Sequence, residues 1–85
     1  LPHYRAGLRQ FRESGFALID WGAISPRGYH SDLTRILVTS KLPPKLAQIY
    51  GVVLKAQRAG IAAIRPGASC QDVDAAARTV IDQAG

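Results

Sequence analysis

The first half of the chain carries short apolar runs separated by turn residues, a pattern typical of β-strands. An apolar run at residues 16–19 follows the turn signal Ser14-Gly15. The next turn signal is Ser-Pro-Arg-Gly at 25–28, where proline presets φ and Gly28 can adopt a positive φ. Residues 29–39 are rich in β-branched and aromatic side chains, which favour a returning strand. The pattern therefore predicts a β-hairpin.

The following segment changes to a helical repeat. Apolar residues recur every three or four positions, which predicts an amphipathic helix of about five turns. Pro43 and Pro44 are tolerated in a first helical turn, and Arg-Pro-Gly at 65–67 ends the helix. The predicted apolar stripe consists of Leu46, Ile49, Val53, Ala56, Gly60 and Ile64, widened by Tyr50, Leu54 and Ile61.

A second amphipathic helix is predicted to begin at Ser69. Asp72, three residues later, can complete a capping box with Ser69, and Gly85 stands where the helix would be capped at its other end. Both helices need a surface to cover, and the hairpin offers one. The order strand, strand, helix, helix predicts an α+β fold. The apolar face of the second helix comprises Val73, Ala76, Ala77, Val80, Ile81 and Ala84.

Composition limits the chain to one small domain or part of one. It has 85 residues, 47% of them hydrophobic and 20% charged, which is ordinary globular composition. No apolar run approaches the roughly 20 residues that span a bilayer, so no membrane partner is predicted. Because the sequence contains no methionine, we expect it to begin inside a longer protein. The single Cys70 excludes an internal disulfide, fits a reducing, cytoplasmic compartment, and is expected to be buried.

The net charge of +5 does not by itself predict a nucleic-acid partner. The 11 lysines and arginines are spread along the chain, without a basic block or interleaved aromatic residues that could stack on bases. We therefore predict no nucleic-acid binding. A small basic domain with steeply salt-dependent affinity for DNA or RNA stays open as an alternative.

Two aspartates stand in these otherwise apolar strands. Asp20 ends the first run and Asp32 opens the second, although carboxylates are poor strand formers and are costly to bury unpaired. With an odd-numbered loop both would point to one face, directly opposed, with Cβ atoms about 4.5 to 5.5 Å apart. Such a separation suits carboxylates shared between two divalent cations. The alternative is that Asp20 is a turn residue beside Gly22. Asp32 would then pair with Arg35 or Arg27.

The remaining polar residues indicate no second site. His30 shares the face of Asp32 but is expected to be a solvated strand histidine, and composition says nothing of His3. The sequence has no nucleophile–base–acid arrangement, no glycine-rich phosphate loop and no zinc-ligand spacing. The residues alone therefore leave two interpretations open, a two-carboxylate metal site in an incomplete domain and the alternative of a turn residue with an arginine pair.

Three segments, LPHYRAG, GFALIDWGA and GYHSDLTR, resemble in this order the pita-bread metallopeptidases. That group includes methionine aminopeptidase, aminopeptidase P, prolidase and creatinase, and the combination is most similar to the Xaa-Pro peptidase branch. The segment 49–78 resembles the helix pair that follows in these enzymes. The resemblance implies a partial pita-bread fold. It also implies that residues 1–85 form the N-terminal portion of a catalytic domain.

By that resemblance Asp20 chelates one divalent ion and Asp32 bridges two, the metal being Mn, Co or Zn. His3 matches a histidine that contacts the substrate and stabilises the developing tetrahedral centre. Tyr29 and Thr34 belong to the motif as supporting residues. The two aspartates stand one residue further apart than is usual in the family, which places the extra residue in the loop before Tyr29. The remaining ligands, a histidine and two glutamates, would lie outside this chain.

The implied activity is that of a metallo-exopeptidase of the Xaa-Pro aminopeptidase or dipeptidase type. It would hydrolyse peptide bonds near a free N-terminus, before proline, with a glutamate outside this chain as general base. We expect a peptide substrate, leave homo-oligomerisation open, and expect the 85 residues alone to be inactive. The alternative is a homologue that has lost catalysis and serves as a binding module, or a metal-free hydrolase like creatinase.

Overall fold

The computed structural model of the chain describes residues 5, 7–13 and 15–85. In chain order the elements are a short 3-10 turn (Phe11–Glu13), strands β1 (Phe16–Trp21) and β2 (Leu33–Val38), and helices α1 (Pro44–Ala63) and α2 (Cys70–Ala84). They fall into two compact units, Leu1–Leu42 and Pro43–Gly85. This order confirms the predicted α+β class, with a hairpin followed by two helices.

Residues 22–32 join β1 to β2, and the tip of this connection is a three-residue loop, residues 26–28, that Ser25 organises. Gly28 N–H donates to the Ser25 carbonyl at 2.9 Å, and Ser25 N–H donates to the Tyr29 carbonyl at 2.8 Å. The Ser25 hydroxyl also accepts from Tyr29 N–H at 3.1 Å. Gly28 has a φ of 82°, as its place in the turn predicted. A tight turn followed by a left-handed glycine is the usual geometry of a three-residue hairpin loop, so the loop is odd-numbered.

The strands pair antiparallel from Phe16 opposite Val38 to Trp21 opposite Leu33. The second strand begins later than predicted, at Leu33, and the segment before it makes only an isolated bridge between Ile24 and His30. The ladder is interrupted there because the hydroxyls of Ser25 and Ser31 accept hydrogen bonds from backbone N–H groups of the paired segment. Such local hydroxyl bonds compete with regular sheet pairing.

Helix α1 begins and ends at the predicted signals. Pro43 is its N-cap residue and Pro44 occupies the first turn, where the missing N–H of proline costs nothing. The helix runs for 20 residues and ends at Ala63. Ile64 is already extended, with φ −73° and ψ 116°, shortly before Pro66.

Helix α2 begins with the predicted capping box. The Ser69 hydroxyl accepts from Asp72 N–H at 3.1 Å, and the Asp72 carboxylate accepts from Ser69 N–H at 3.3 Å. At the other end Gly85 caps the helix with a φ of 88°. Both ends of α2 are therefore set by capping residues that can be recognised in the sequence.

Helices α1 and α2 pack through small residues. Among the residues whose burial the structure describes, only Ala56 and Gly60 are buried. A Cβ added at Gly60 would lie 3.5 Å from the Cβ of Ala77 and 3.8 Å from the Val73 carbonyl oxygen. Small residues at this crossing let the two helix backbones approach closely.

The predicted apolar stripe of α1 is wrong in part. Its large members Ile49, Val53 and Ile64 are exposed by 48%, 54% and 66%. The crossing selects small side chains over large ones, which periodicity alone does not reveal. The half-buried positions on α1 are Leu46, Val52, Leu54, Ala59 and Ala63. On α2 they are Val73, Ala76, Ala77 and Val80, all predicted.

The beginning of α2 also corrects the expectation for the cysteine. Cys70 is exposed, not buried, because it is the first residue of the helix and follows directly on the cap. Further along, the Arg78 guanidinium donates to the Asp74 carboxylate one turn earlier, which raises the pKa of Arg78. Both side chains are largely exposed, so this pair contributes little to stability. In the described part of the chain, neither helix has the length and apolar character needed to cross a membrane.

Candidate metal centre

Asp20 lies near the end of β1, opposite Thr34 of β2. The ladder bonds of the hairpin fall on odd-numbered pairs, such as Ser25 with Tyr29 and Gly15 with Thr39. By alternation, Asp20 and Thr34 form a non-hydrogen-bonded pair, in which Cα atoms are about 4.5 Å apart and side chains are closest. The Thr34 hydroxyl donates to Asp20 Oδ1 at 3.0 Å. Thr34 therefore fixes one oxygen of this carboxylate.

Asp32 occupies the position diagonal to Asp20. The register on either side, Trp21 with Leu33 and Ile24 with His30, places Asp32 opposite Gly22. Regular alternation along the strands would put Asp20 and Asp32 on one face. Asp32 lies outside β2, where the pairing is interrupted at Ser31, so their common face stays a prediction. The expectation that they oppose each other directly is wrong. Diagonal neighbours in a sheet lie about 7–8 Å apart, and their Cβ atoms lie somewhat closer. Two carboxylates at such positions can still bind one shared ion between them.

The approach of the two chains at Gly22 is unusually close. The carbonyl oxygen of Ser31 lies in the space that a Cβ at position 22 would fill. The Ser31 hydroxyl replaces this carbonyl as acceptor of the Ala23 N–H, at 3.0 Å, while Ser31 N–H donates to the Ala23 carbonyl at 2.9 Å. The backbone that leads into Asp32 thus packs directly against Gly22.

The arginine alternative is not what the structure shows. Arg35 donates from Nη1 to the Thr34 carbonyl at 2.8 Å. Within residues 5, 7–13 and 15–85 the one ion pair joins Arg78 and Asp74. Both candidate carboxylates are exposed. Neither Asp20 nor Asp32 is neutralised by Arg35 or Arg27 in the described part of the chain.

The donor set fits a hard divalent cation as far as it goes. Asp20 and Asp32 offer exposed carboxylate oxygens, the type of ligand that such a cation prefers. Among the described residues, no group of three or more His, Cys, Asp or Glu is placed to hold an ion. His30 is exposed and stands beyond the pair, consistent with a solvated histidine. His3 lies outside the described residues.

A protein-family model shows which family the chain belongs to. The model described as Metallopeptidase family M24 matches residues 1–85. The chain belongs to this family. The resemblance seen in the three sequence segments is thereby confirmed, and the family is described as one of metallopeptidases.

Relatives in the family carry peptidase names. The protein named "Probable dipeptidase PepE" of Mycobacterium tuberculosis is 42% identical over 84 residues, 99% of this chain and 22% of its own length. An uncharacterized peptidase of Staphylococcus saprophyticus is 44% identical over 99% of the chain and 24% of its own length. The "Xaa-Pro dipeptidase" of Pyrococcus furiosus is 34% identical over 100% of the chain and 24% of its own length. The chain thus spans about a quarter of these relatives. No solved structure matches it.

Sequence reasoning did not find the roles of Gly22 and Ser31, and it assigned Thr34 only to a supporting group. One signal was available. Once the loop is taken as Pro26, Arg27 and Gly28, counting outward pairs position 20 with position 34. The exchange of acceptors at Ser31 has no comparable signal in the pattern of polar and apolar residues.

Proposed function

We propose that this chain is the N-terminal portion of the catalytic domain of a dinuclear metal-dependent Xaa-Pro peptidase with the pita-bread fold. The observation that carries the proposal is the strand register, which puts Asp20 opposite Thr34 and Asp32 opposite Gly22 as diagonal positions of one hairpin, in a member of a metallopeptidase family. A relative named Xaa-Pro dipeptidase supports the proline preference.

In this proposal Asp20 and Asp32 hold the ions, and His3 binds the substrate near the scissile bond. Two divalent ions, Mn, Co or Zn, supply an activated water and polarise a carbonyl. The exposed carboxylate face is where the peptide would approach, since neither aspartate is covered within the described chain. Asp20 is oriented by Thr34, and Asp32 by the close approach at Gly22.

The substrate and setting follow from the same proposal. The substrate is a short peptide with a free N-terminus, cleaved before proline. The proposal includes no nucleic-acid or membrane partner and a cytoplasmic location. Homo-oligomerisation stays open. The lone Cys70 supports the reducing compartment.

The first test changes Asp32 to Asn in the full-length protein. The amide keeps the size of the side chain but loses its charge, so divalent metal affinity and hydrolysis of an Xaa-Pro dipeptide should fall on the order of 100-fold or more. Metal content is measured by elemental analysis, and hydrolysis by release of proline. Asp82→Asn removes an exposed carboxylate from α2 and should leave both unchanged.

Two results bear against the proposal in different ways. Full metal content and full turnover in Asp32→Asn would refute the metal assignment. A wild-type protein that binds no divalent ion, or binds it and hydrolyses no dipeptide, would instead favour the metal-free or non-catalytic alternative. Equal rates on Xaa-Pro and Xaa-Ala dipeptides would remove the proline preference alone.

A further inference from the structure

The Thr34 hydroxyl is the one side-chain donor that the described structure directs at a candidate metal-binding carboxylate. It donates to Asp20 Oδ1 at 3.0 Å across a non-hydrogen-bonded pair of β1 and β2. Asp20 is exposed, so water could satisfy this oxygen without Thr34. The Thr34 hydroxyl therefore contributes mainly by orienting the Asp20 carboxylate, and not by supplying a hydrogen bond that the carboxylate would otherwise lack.

We infer that Thr34 is a positioning residue that holds the Asp20 carboxylate in the orientation it needs to receive a divalent ion. The inference rests on the proposed function and extends it to a residue that does not itself bind metal. An ionised carboxylate has about four lone-pair sites, and one bond from Thr34 leaves the others available. Partners that orient ligating groups in this way tune metal affinity.

The residue type suits the task. Threonine is stiff about χ1 because two heavy atoms stand on its Cβ, and it is well accommodated in a strand. Its backbone is held as well, since Arg35 Nη1 donates to the Thr34 carbonyl at 2.8 Å. A hydroxyl on a stiff side chain in a paired strand approaches Asp20 in one direction. A long, flexible donor would hold the carboxylate less firmly.

The test compares Thr34→Val with Thr34→Ser in the full-length, metal-free protein. Valine keeps the shape and loses the donor, whereas serine keeps the donor and loses a methyl group. Titration with MnCl2 by calorimetry should show about 10–100-fold weaker binding in Thr34→Val. Thr34→Ser should restore affinity to within about threefold of wild type, because the hydroxyl is what matters.

Thr79→Val is the matched control. Thr79 donates its hydroxyl to the Ala75 carbonyl of its own helix at 2.8 Å, so the same substitution removes a hydroxyl bond that involves no carboxylate. Its manganese affinity should equal that of wild type. If Thr34→Val does not fold by circular dichroism, Thr34→Ala takes its place with the same expected loss.

The outcomes separate this inference from the proposed function. Asp20→Asn is titrated beside the other variants. If Asp20→Asn loses manganese and Thr34→Val binds as wild type does, Thr34 has no positioning role, and the metal site stands. Equal losses in Thr34→Val and Thr34→Ser, or a loss in Thr79→Val, also overturn the inference. If Asp20→Asn binds manganese as wild type does, the proposed function and the inference fail together.

Discussion

Gly22 is the residue on which the placement of Asp32 depends most directly. The Ser31 carbonyl oxygen fills the space of a side chain at position 22. This obstacle is backbone, so it cannot rotate away as the end of a flexible side chain would. A side chain at Gly22 must therefore push back the segment that leads into Asp32.

Gly22→Ala is expected to destabilise the full-length protein by about 1–3 kcal/mol, the usual cost of overpacking. The cost arises because the new Cβ and the Ser31 carbonyl oxygen cannot share the same space. Denaturant unfolding of the metal-free protein measures it. The same change at Gly51 meets nothing within 4 Å in helix α1, so alanine there should be neutral or stabilise by about 0.5–1 kcal/mol. Equal unfolding midpoints for wild type and Gly22→Ala would contradict the account of the close approach.

Whether a feature of the candidate site could be predicted from sequence depends on whether it follows from the parity of residue numbers or from the strand register. The like parity of the positions that pair around Asp20 and Asp32 was predictable, because an odd loop suffices to fix it. Their diagonal offset was not, because it depends on which residues make up the loop. The close approach at Gly22 was not predictable either, since the Ser31 hydroxyl there replaces a backbone carbonyl as acceptor.

At the scale of elements, helix boundaries are local and helix faces are not. The capping box of Ser69 and Asp72 forms from residues adjacent in sequence, and the structure has both of its bonds. The same holds for the prolines that begin α1. The buried face of α1 instead depends on what packs against it. Small residues at the crossing with α2 displaced the large apolar side chains that periodicity favoured.

Ser69→Ala should therefore weaken the beginning of α2. Loss of an N-cap hydroxyl costs about 1 kcal/mol, because the Asp72 N–H loses its acceptor. Denaturant unfolding of the full-length protein measures the global effect, and hydrogen exchange at the Asp72 amide measures the local one. Ser69→Asn is the matched control, since asparagine caps as well as serine does. Unchanged exchange at Asp72 in Ser69→Ala would show that water replaces the cap without cost.

The described part of the chain has few buried side chains. Large apolar side chains such as Phe11, Trp21 and Ile61 are exposed by 72%, 55% and 61%. Even a well-packed 60-residue domain buries only about 60% of the surface its unfolded chain exposes and is marginally stable. Two units with so few buried side chains are expected to be less stable than that.

This shortage of interior leads to the last prediction, that the isolated 85 residues bind manganese weakly and hydrolyse no Xaa-Pro dipeptide. Two carboxylates cannot complete the coordination of either ion, and metal binding would have to offset the cost of ordering the hairpin as well. Calorimetric titration of the isolated polypeptide should give an affinity at least about 100-fold below that of the full-length protein. Asp32→Asn in the same polypeptide should change it little, because a single remaining carboxylate binds almost as poorly as a pair without further ligands. Tight binding of two ions by the 85 residues would mean that Asp20 and Asp32 form a site by themselves, and the reasoning from an incomplete donor set would be wrong.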